Sequence, residues 1–346
     1  MTVGKFAIGN LHPQSKFFNS HNYLKTHSHM TRAKRTQSAE LEVRLLRSGI
    51  CESIHRVQAT VCDTRGRALS IAGSADLGTF VRSALKPFQA LATTNTGTLE
   101  RYDLTDVDLA IICSSHQGTI EQARRAFNIL WHCNVDPAYL QCPTPTGKRS
   151  PLQHGCSGKH AGMLAVCRQR HWPLETYLQP KHPVQQLILS KVAEMLKMPP
   201  DELIVARDDC GAPTYYMELG QIATLYAQLA SGDNLDMERI VRAMTHHPEM
   251  VAGEGHLDTE LMRMTEGELV SKSGAEGIQC IGRIGEGMGL AIKVIDGAKR
   301  AKYAVAIQLL KQMGWITPTQ SETLSDQFLT LDEYRRLEVV GELSLV

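Results

Sequence analysis

The chain has 346 residues, and its 37 Lys and Arg residues nearly balance its 36 Asp and Glu residues, giving a formal net charge of +1. This balance argues against a nucleic acid, an anionic membrane or a strongly charged protein as partner. No apolar run approaches the roughly 18 residues that a membrane-spanning helix needs. The 9 cysteines are odd in number and scattered, which indicates reduced thiols in a cytoplasmic protein rather than a disulfide framework.

Residues 1–39 differ in composition from the rest of the chain. They contain Lys, Arg, His, Ser and Thr but no Asp or Glu. This is typical of a transit peptide, and equally of an upstream leader before a second start at Met30. We expect residues 1–39 to be a basic, disordered leader outside the fold and residues 40–346 to form a single domain.

The first half of that domain opens with "LEVRLLRSGICESIHRVQATVCDTRGRALSIAG", which predicts two antiparallel strands joined by a turn at Asp63–Arg67. Pro87 is tolerated only in the first turn of a helix, so a helix should begin near Ser83–Lys86. "DVDLAIICSS" predicts a buried strand. "TIEQARRAFNILWHC" predicts an amphipathic helix with Thr119 as its N-cap.

The second half alternates between helical and strand patterns. Apolar spacing predicts helices in "SGKHAGMLAVCRQR", "HPVQQLILSKVAEMLK" and "GQIATLYAQLA". Several short strands are predicted from "GELVSKSGAEGIQCIGR" through "GMGLAIKVIDG", and a closing helix in "KRAKYAVAIQLLKQMG" before Gly314. This order predicts an α+β fold in which an antiparallel sheet is flanked by helices, with a helical portion and with the first and last segments side by side.

A serine and a lysine lie three positions apart at the predicted helix start, in "FVRSALKPFQ". Ser83 would lie at the positive end of the helix dipole, with Lys86 one turn further on the same side. A lysine whose pKa is lowered by burial can take the proton from a serine nucleophile. Taken alone, the pair also fits a solvated helix start.

Two later stretches extend this pattern. "IICSSHQG" presents Ser114, Ser115 and His116 in a turn, although such a turn can also simply cap the next helix. "SKSGAEG" places Lys272 next to Ser273 and Gly274. Ser-x-x-Lys, a serine-bearing loop and Lys-Ser-Gly occur in this chain order in serine β-lactamases and penicillin-binding proteins.

A third set combines two cysteines with a lysine. "QHGCSGKHAG" contains Cys156 and Lys159, and "RDDCGAP" contains Cys210. Two thiolates with a nitrogen donor can hold zinc in a tetrahedral site completed by water. Two reduced thiols beside a polar site fit the same spacing.

Together, "RSALKPFQA", "CSSHQGT", "HGCSGKHAGMLA", "DDCGAPTYYMEL" and "KSGAEG" resemble the Rhizobium etli type of L-asparaginase, also called asparaginase II or class 3. The resemblance runs from about Glu40 to Gly314. It implies a serine β-lactamase-like fold, hydrolysis of L-asparagine to L-aspartate and ammonia, and a homodimer.

The resemblance also implies roles for individual residues. Ser83 matches the nucleophile and Lys86 its base, kept neutral by the cation of Lys272; Ser115 and Lys272 match a second pair, with Lys293 as a rival lysine. The matched zinc ligands, for one modulatory or substrate-orienting ion per chain, are Cys156, Lys159 and Cys210. The polar residues expected to support or bind the substrate are Arg82, His116, His160 and Asp208.

Two other classes of function remain open at this stage. One is another serine acyl hydrolase on the same scaffold, such as a glutaminase, an esterase or a β-lactamase-like enzyme. The other is a zinc-binding protein without catalytic activity. The Cys–Lys–Cys set argues against a β-lactamase or an esterase, and the presence of both Ser–Lys pairs argues against a non-catalytic protein.

Overall fold

The structure is a computed structural model that describes residues 37–346. These residues lie within one compact unit of the chain. Residues 1–36, nearly all of the expected basic leader, lie outside the described residues. Within residues 37–346, no helix is long and apolar enough to cross a membrane.

The elements come in runs of strands and runs of helices. The strands are β1 (Leu41–Arg47), β2 (Ile50–Asp63), β3 (Ala68–Ala72), β4 (Gly78–Phe80), β5 (Ile204–Arg207), β6 (Pro213–Glu218), β7 (Leu269–Ser273), β8 (Ile278–Arg283), β9 (Met288–Val294), β10 (Arg335–Val340) and β11 (Ser344–Leu345). The helices are α1 (Lys86–Thr94), α2 (Thr98–Arg101), α3 (Asp106–Ile112), α4 (Ile120–His132), α5 (Ser157–Gln169), α6 (Pro183–Leu196), α7 (Leu219–Leu229), α8 (Leu235–His246), α9 (Pro248–Val251), α10 (Leu257–Met264), α11 (Lys299–Gln312) and α12 (Pro318–Phe328). Short 3-10 helices lie at Arg82–Leu85, Pro137–Tyr139, Pro151–Gln153 and Pro200–Glu202.

The main sheet is antiparallel, with the strand order β10-β1-β2-β9-β8-β7, and β3 pairs with both β2 and β11. Strand β1 pairs with β10 and β2 pairs with β9, so the first and last segments lie side by side as predicted. Strand β7 ends this path, with Lys272 opposite Cys280 of β8. A smaller sheet in the described residues has the order β4-β6-β5.

Helices cover both faces of the main sheet. Along β9, Ala291 belongs to one apolar core, whereas its neighbours Leu290 and Ile292 belong to the other, because successive side chains of a strand point to opposite faces. Helix α7 packs on β2 and β9, and α11 packs on β1, β2, β8 and β9. The expected mixed fold of helices and an antiparallel sheet is therefore confirmed, and it is compatible with the serine β-lactamase-like fold.

Several local predictions are confirmed. The Asp63 amide donates to the Arg67 carbonyl across the predicted turn (3.0 Å). The Thr119 hydroxyl caps α4 by accepting from the Gln122 amide (3.2 Å). Pro87 lies in the first turn of α1, immediately after the 3-10 helix that carries Ser83.

The predicted strand in "DVDLAIICSS" is wrong, because Asp106–Ile112 is the helix α3. The Asp108 carboxylate accepts from the Thr105 amide at 2.9 Å, and this capping box starts the helix. The stretch 41–73 also forms three strands rather than two. Ser48 and Gly49, both with positive φ, make an additional turn between β1 and β2.

The start of α5 packs closely against the end of α3. A Cβ on Gly158 would lie 2.0 Å from the Ile111 carbonyl oxygen, which cannot move without shifting α3. A Cβ on Gly162, one turn later, would instead meet side-chain atoms of Ile112, the nearest at 2.9 Å. Glycine at 158 therefore lets the loop before α5 approach the residues that follow α3.

We predict that Gly158→Ala lowers the free energy of unfolding by about 2 kcal/mol or more, because the added methyl group overpacks against backbone. Gly162→Ala is the matched control, since it lies in the same helix and its neighbour is a side chain that can adjust. Urea denaturation of both variants measures the difference. Equal losses would show that the backbone contact of Gly158 is not a constraint.

Candidate active site

One serine hydroxyl lies between two lysines from distant parts of the chain. Lys86 Nζ, at the start of α1, is 3.0 Å from Ser115 Oγ, and Lys272 Nζ, near the end of β7, is 2.8 Å from the same oxygen. Ser115 lies in the loop after α3, where its amide donates to the Val251 carbonyl (2.7 Å). Both lysines are buried, with exposed fractions of 1% and 0%.

The remaining contacts of the two lysines differ. Lys86 Nζ also donates to the Gly155 carbonyl at 3.1 Å and to the Ser114 carbonyl. An ammonium group has three N–H donors and no acceptor, so these three oxygens match a charged Lys86. Lys272 Nζ has one further contact, to the Ser273 carbonyl at 2.8 Å. A neutral amine can donate to that carbonyl and direct its lone pair at the Ser115 hydroxyl, which then donates to it.

The charges and burial around Lys272 also favour its neutral form. Burial lowers its pKa, Asp258 opposes this, and the charges of Lys86 and Lys302 lower it further, to about 7. Lys272 can therefore lose its proton near neutral pH and accept the proton of Ser115. The sequence suggested the reverse assignment, with Lys86 neutral beside a charged Lys272.

Ser83 lies in the 3-10 helix Arg82–Leu85 and is half-buried. Among residues 37–346, no group hydrogen-bonds its hydroxyl, and Lys86 contacts Ser115 instead. The structure thus brings Lys86, Ser115 and Lys272 together but does not join Ser83 Oγ to Lys86. A free hydroxyl at the first turn of a helix remains available to a substrate, close to N–H groups that the helix itself does not use.

Arg82 connects this helix to the loop that carries Cys210. Its Nε donates to Asp208 at 2.8 Å, and its amide donates to Thr214 Oγ1 at 3.1 Å. Arg82 has φ of 51°, a left-handed conformation that is uncommon outside glycine. The Arg82–Asp208 pair therefore holds a strained backbone immediately before Ser83.

The two predicted histidines are buried and neutral. His116 Nδ1 accepts from the Gly118 amide (3.0 Å) and its Nε2 lies 2.9 Å from Ser157 Oγ, while burial lowers its pKa to about 3. His160 Nδ1 lies 2.6 Å from Tyr177 Oη, and burial lowers its pKa well below the ordinary value. His116 thereby ties the serine loop to the start of α5, and in the described residues neither ring contacts Ser115 Oγ.

The cysteines and the lysine of the predicted zinc site converge. Cys156 is the N-cap of α5, Lys159 lies in its first turn, and Cys210 lies between β5 and β6. Lys159 Nζ is 3.1 Å from Cys210 Sγ. A hydrogen bond from the Cys210 thiol holds the pKa of Cys156 well below its usual range, and the same bond raises the pKa of Cys210.

This donor set fits a metal only if the lysine takes part. Within residues 37–346, no group of three or more His, Cys, Asp or Glu side chains could hold a metal ion. Two sulfurs and an amine are donors that zinc accepts, with a fourth position left for water. Cys156, Lys159 and Cys210 therefore fit a three-ligand zinc site, and zinc stays a prediction.

Sequence reasoning missed two charged residues near the lysines and left one choice open. Asp258 in α10 and Lys302 in α11 are buried, although they occur in helices whose charged residues usually face water. In "HLDTEL" Asp258 lies near the start of a helix, where acidic residues are common, so the sequence carried no specific signal for it. Lys293 Nζ donates to the Glu276 carbonyl (2.8 Å), so Lys272 is the lysine placed against Ser115.

A family model described as L-asparaginase II matches residues 43–345. The chain belongs to the L-asparaginase II family. The name of this family implies an amidohydrolase that acts on asparagine. No curated protein sequence matches the chain.

Solved structures of a protein named Mglu are also similar. Its native form matches with 14% identity and a TM-score of 0.45, covering 75% of this chain and 65% of that one. Its glutamate form matches with 15% identity and a TM-score of 0.40, covering 75% and 61%. The chain thus spans less than two thirds of the length of these two Mglu chains.

We predict that the protein binds about one zinc ion per chain, more tightly as pH rises from about 6 to 8, because protons must leave the ligands. Cys210→Ser should lose most of this affinity, whereas Cys51→Ser, which alters an exposed thiol, should not. Zinc retained after dialysis can be measured by elemental analysis. Equal zinc content in the two variants, or none in the native protein, would show that the cluster is a pair of reduced thiols.

Proposed function

We propose that this protein is an L-asparagine amidohydrolase of the Rhizobium etli type, which forms a covalent ester with its substrate. Family membership supports the amide substrate. The observation that carries the chemistry is the Ser115 hydroxyl held between two buried lysines, of which only Lys86 has three oxygen acceptors for its amine.

Acylation begins with proton transfer away from Ser83. Neutral Lys272 accepts the proton of Ser115, and Ser115 accepts that of Ser83. Ser83 Oγ then attacks the side-chain amide carbon of asparagine, and N–H groups at the start of its helix stabilise the oxyanion. The carbon–nitrogen bond breaks as the proton returns through Ser115 to the leaving nitrogen, which departs as ammonia.

Hydrolysis of the ester follows the same route. Water gives a proton through Ser115 to Lys272 and attacks the aspartyl carbonyl, and the proton returns to Ser83 Oγ as L-aspartate leaves. The Lys86 amine, which donates to Ser115 Oγ, stabilises negative charge on that oxygen, and its proximity lowers the pKa of Lys272. The enzyme is unchanged after one amide bond and one water molecule are consumed.

Cys156, Lys159 and Cys210 would hold the zinc ion, which supplies positive charge to orient the α-carboxylate or, through water, the α-amino end of the substrate. The resemblance further implies a homodimer in the cytoplasm, and both are part of the proposal. The cysteines of the described residues are free thiols, as a reducing compartment would keep them.

We predict that Ser83→Ala lowers kcat for ammonia release from asparagine by about 10³-fold or more, because no ester can form. Ser115→Ala should lower it by about 10² to 10⁴-fold through loss of proton transfer. Ser114→Ala is the matched control, since its buried hydroxyl has no hydrogen-bond partner in the described residues.

An active Ser83→Ala variant together with an inactive Ser115→Ala variant would show that the two serines have the opposite roles. Glutamine and a chromogenic β-lactam should be assayed beside asparagine. Faster turnover of either compound would make the protein a different acyl hydrolase.

We predict that kcat/KM rises with pH between about 6 and 8, with a midpoint near 7, because Lys272 has a pKa of about 7 and acts as the neutral amine. Below the midpoint Lys272 is an ammonium ion and cannot accept a proton. Lys272→Arg should be inactive throughout this range, because a guanidinium does not deprotonate, whereas Lys293→Arg should keep the native profile. A flat native profile would contradict the role of Lys272.

A further inference from the structure

A buried carboxylate lies on the far side of the strand that carries Lys272. Successive side chains of a strand alternate between its faces, so Ser271 and Ser273 point away from the face of Lys272. Both bind Asp258 of α10. Ser271 Oγ donates to Asp258 Oδ1 at 2.7 Å, and the amide and hydroxyl of Ser273 donate to Oδ2 at 2.8 and 2.7 Å.

Each carboxylate oxygen of Asp258 accepts two hydrogen bonds. Gln279 of β8 adds a fourth hydrogen bond, from Nε2 to Oδ1 at 2.7 Å. Burial would raise the pKa of Asp258, but the charge of Lys272, the bonds from Ser273 and Gln279 and the charge of Lys302 outweigh it, and the pKa is lowered. Asp258 is therefore a buried anion, although no lysine in the described residues forms a direct ion pair with it.

The charges around the Lys272 amine come from four elements. Asp258 of α10 and Cys156 at the start of α5 raise its pKa, and Lys86 of α1 and Lys302 of α11 lower it. Lys302 Nζ also donates to the carbonyls of Gly274 and Ile278 (2.9 and 3.2 Å), which lie at the two ends of the turn between β7 and β8. Three further groups lie near: the thiols of Cys113 and Cys280, whose pKa values burial raises, and His256, whose pKa burial lowers.

We propose that Asp258 is a positioning residue for Lys272: its carboxylate holds the residues on both sides of this lysine and fixes the amine against Ser115, and its charge, opposed by that of Lys302, sets how readily the amine gives up its proton. The inference rests on the proposed function, in which Lys272 is the base. Asp258 acts through the strand and touches neither the substrate nor Ser115.

The test replaces charge while keeping shape. In Asp258→Asn the amide oxygen can still accept from Ser273 and the amide nitrogen can still bind a serine hydroxyl, but the negative charge is lost. We expect the midpoint of the acidic limb of kcat/KM to fall by about one pH unit. Lys302→Met removes an opposing cation and should move the midpoint upward. Ser271→Ala removes two hydrogen bonds, one to Asp258 and one from Gln279, but no charge, and should leave the midpoint in place.

A second measurement separates this inference from the proposed function. Protein labelled with ¹³C at the lysine Cε positions reports the titration of Lys272 by NMR in the resting enzyme, with Lys272→Met used for assignment. In this NMR titration the Lys272 midpoint should again fall in Asp258→Asn and rise in Lys302→Met. A native protein that titrates as described but releases no ammonia from asparagine would overturn the proposed function alone.

Unchanged midpoints in both Asp258→Asn and Lys302→Met, by kinetics and by NMR, would overturn the role of Asp258. Equal loss of activity at every pH without a shift would show that Asp258 only anchors β7 to α10. Should Asp258→Asn fail to fold, Lys302→Met still tests the opposing charge, and a midpoint that does not rise in that variant would overturn the proposal that buried charges set the proton affinity of Lys272.

Discussion

Two buried lysines face one hydroxyl, and a charge on either amine disfavours a charge on the other. Their repulsion grows as the surroundings exclude water, and burial alone already disfavours each ammonium ion. Lys86 has an acceptor for each of the three protons of an ammonium ion, in two backbone carbonyls and the Ser115 hydroxyl. In the proposed mechanism Lys272 is therefore the amine that becomes neutral, and this difference between the two lysines makes it the base beside the Ser115 hydroxyl.

The arrangement depends on close backbone packing between distant segments. The Gly155 carbonyl reaches Lys86 only because the loop before α5 lies against the serine loop; a Cβ on Gly155 would be 2.8 Å from the His116 carbonyl oxygen. His116 spans the same two segments through Gly118 and Ser157. Edge strand β7 then brings Lys272 in from the other side, with Asp258 beneath it.

Part of the fold and of the active site could be predicted from the sequence, because these features depend on local rules. Pro87 fixes where α1 can begin, and the Lys-Ser-Gly context distinguished Lys272 from Lys293. The strand predicted in "DVDLAIICSS" is wrong because an apolar run of this length is compatible with both a strand and a buried helix. Only the capping box distinguishes the two here. The sequence could not show which lysine is neutral, because this depends on carbonyl groups contributed by other segments. The sequence also could not show the role of Asp258, because this residue resembles any acid near a helix N-terminus.

The central claim is that the base formed by Ser115 and Lys272 serves Ser83 and that Ser83 carries the acyl group. The most direct measurement is to quench the enzyme in acid during turnover of asparagine and to map the modified peptide by mass spectrometry, with an unreacted sample beside it. The account predicts an aspartyl ester on Ser83 and an unmodified Ser115. An ester on Ser115, with Ser83 unmodified, would contradict it.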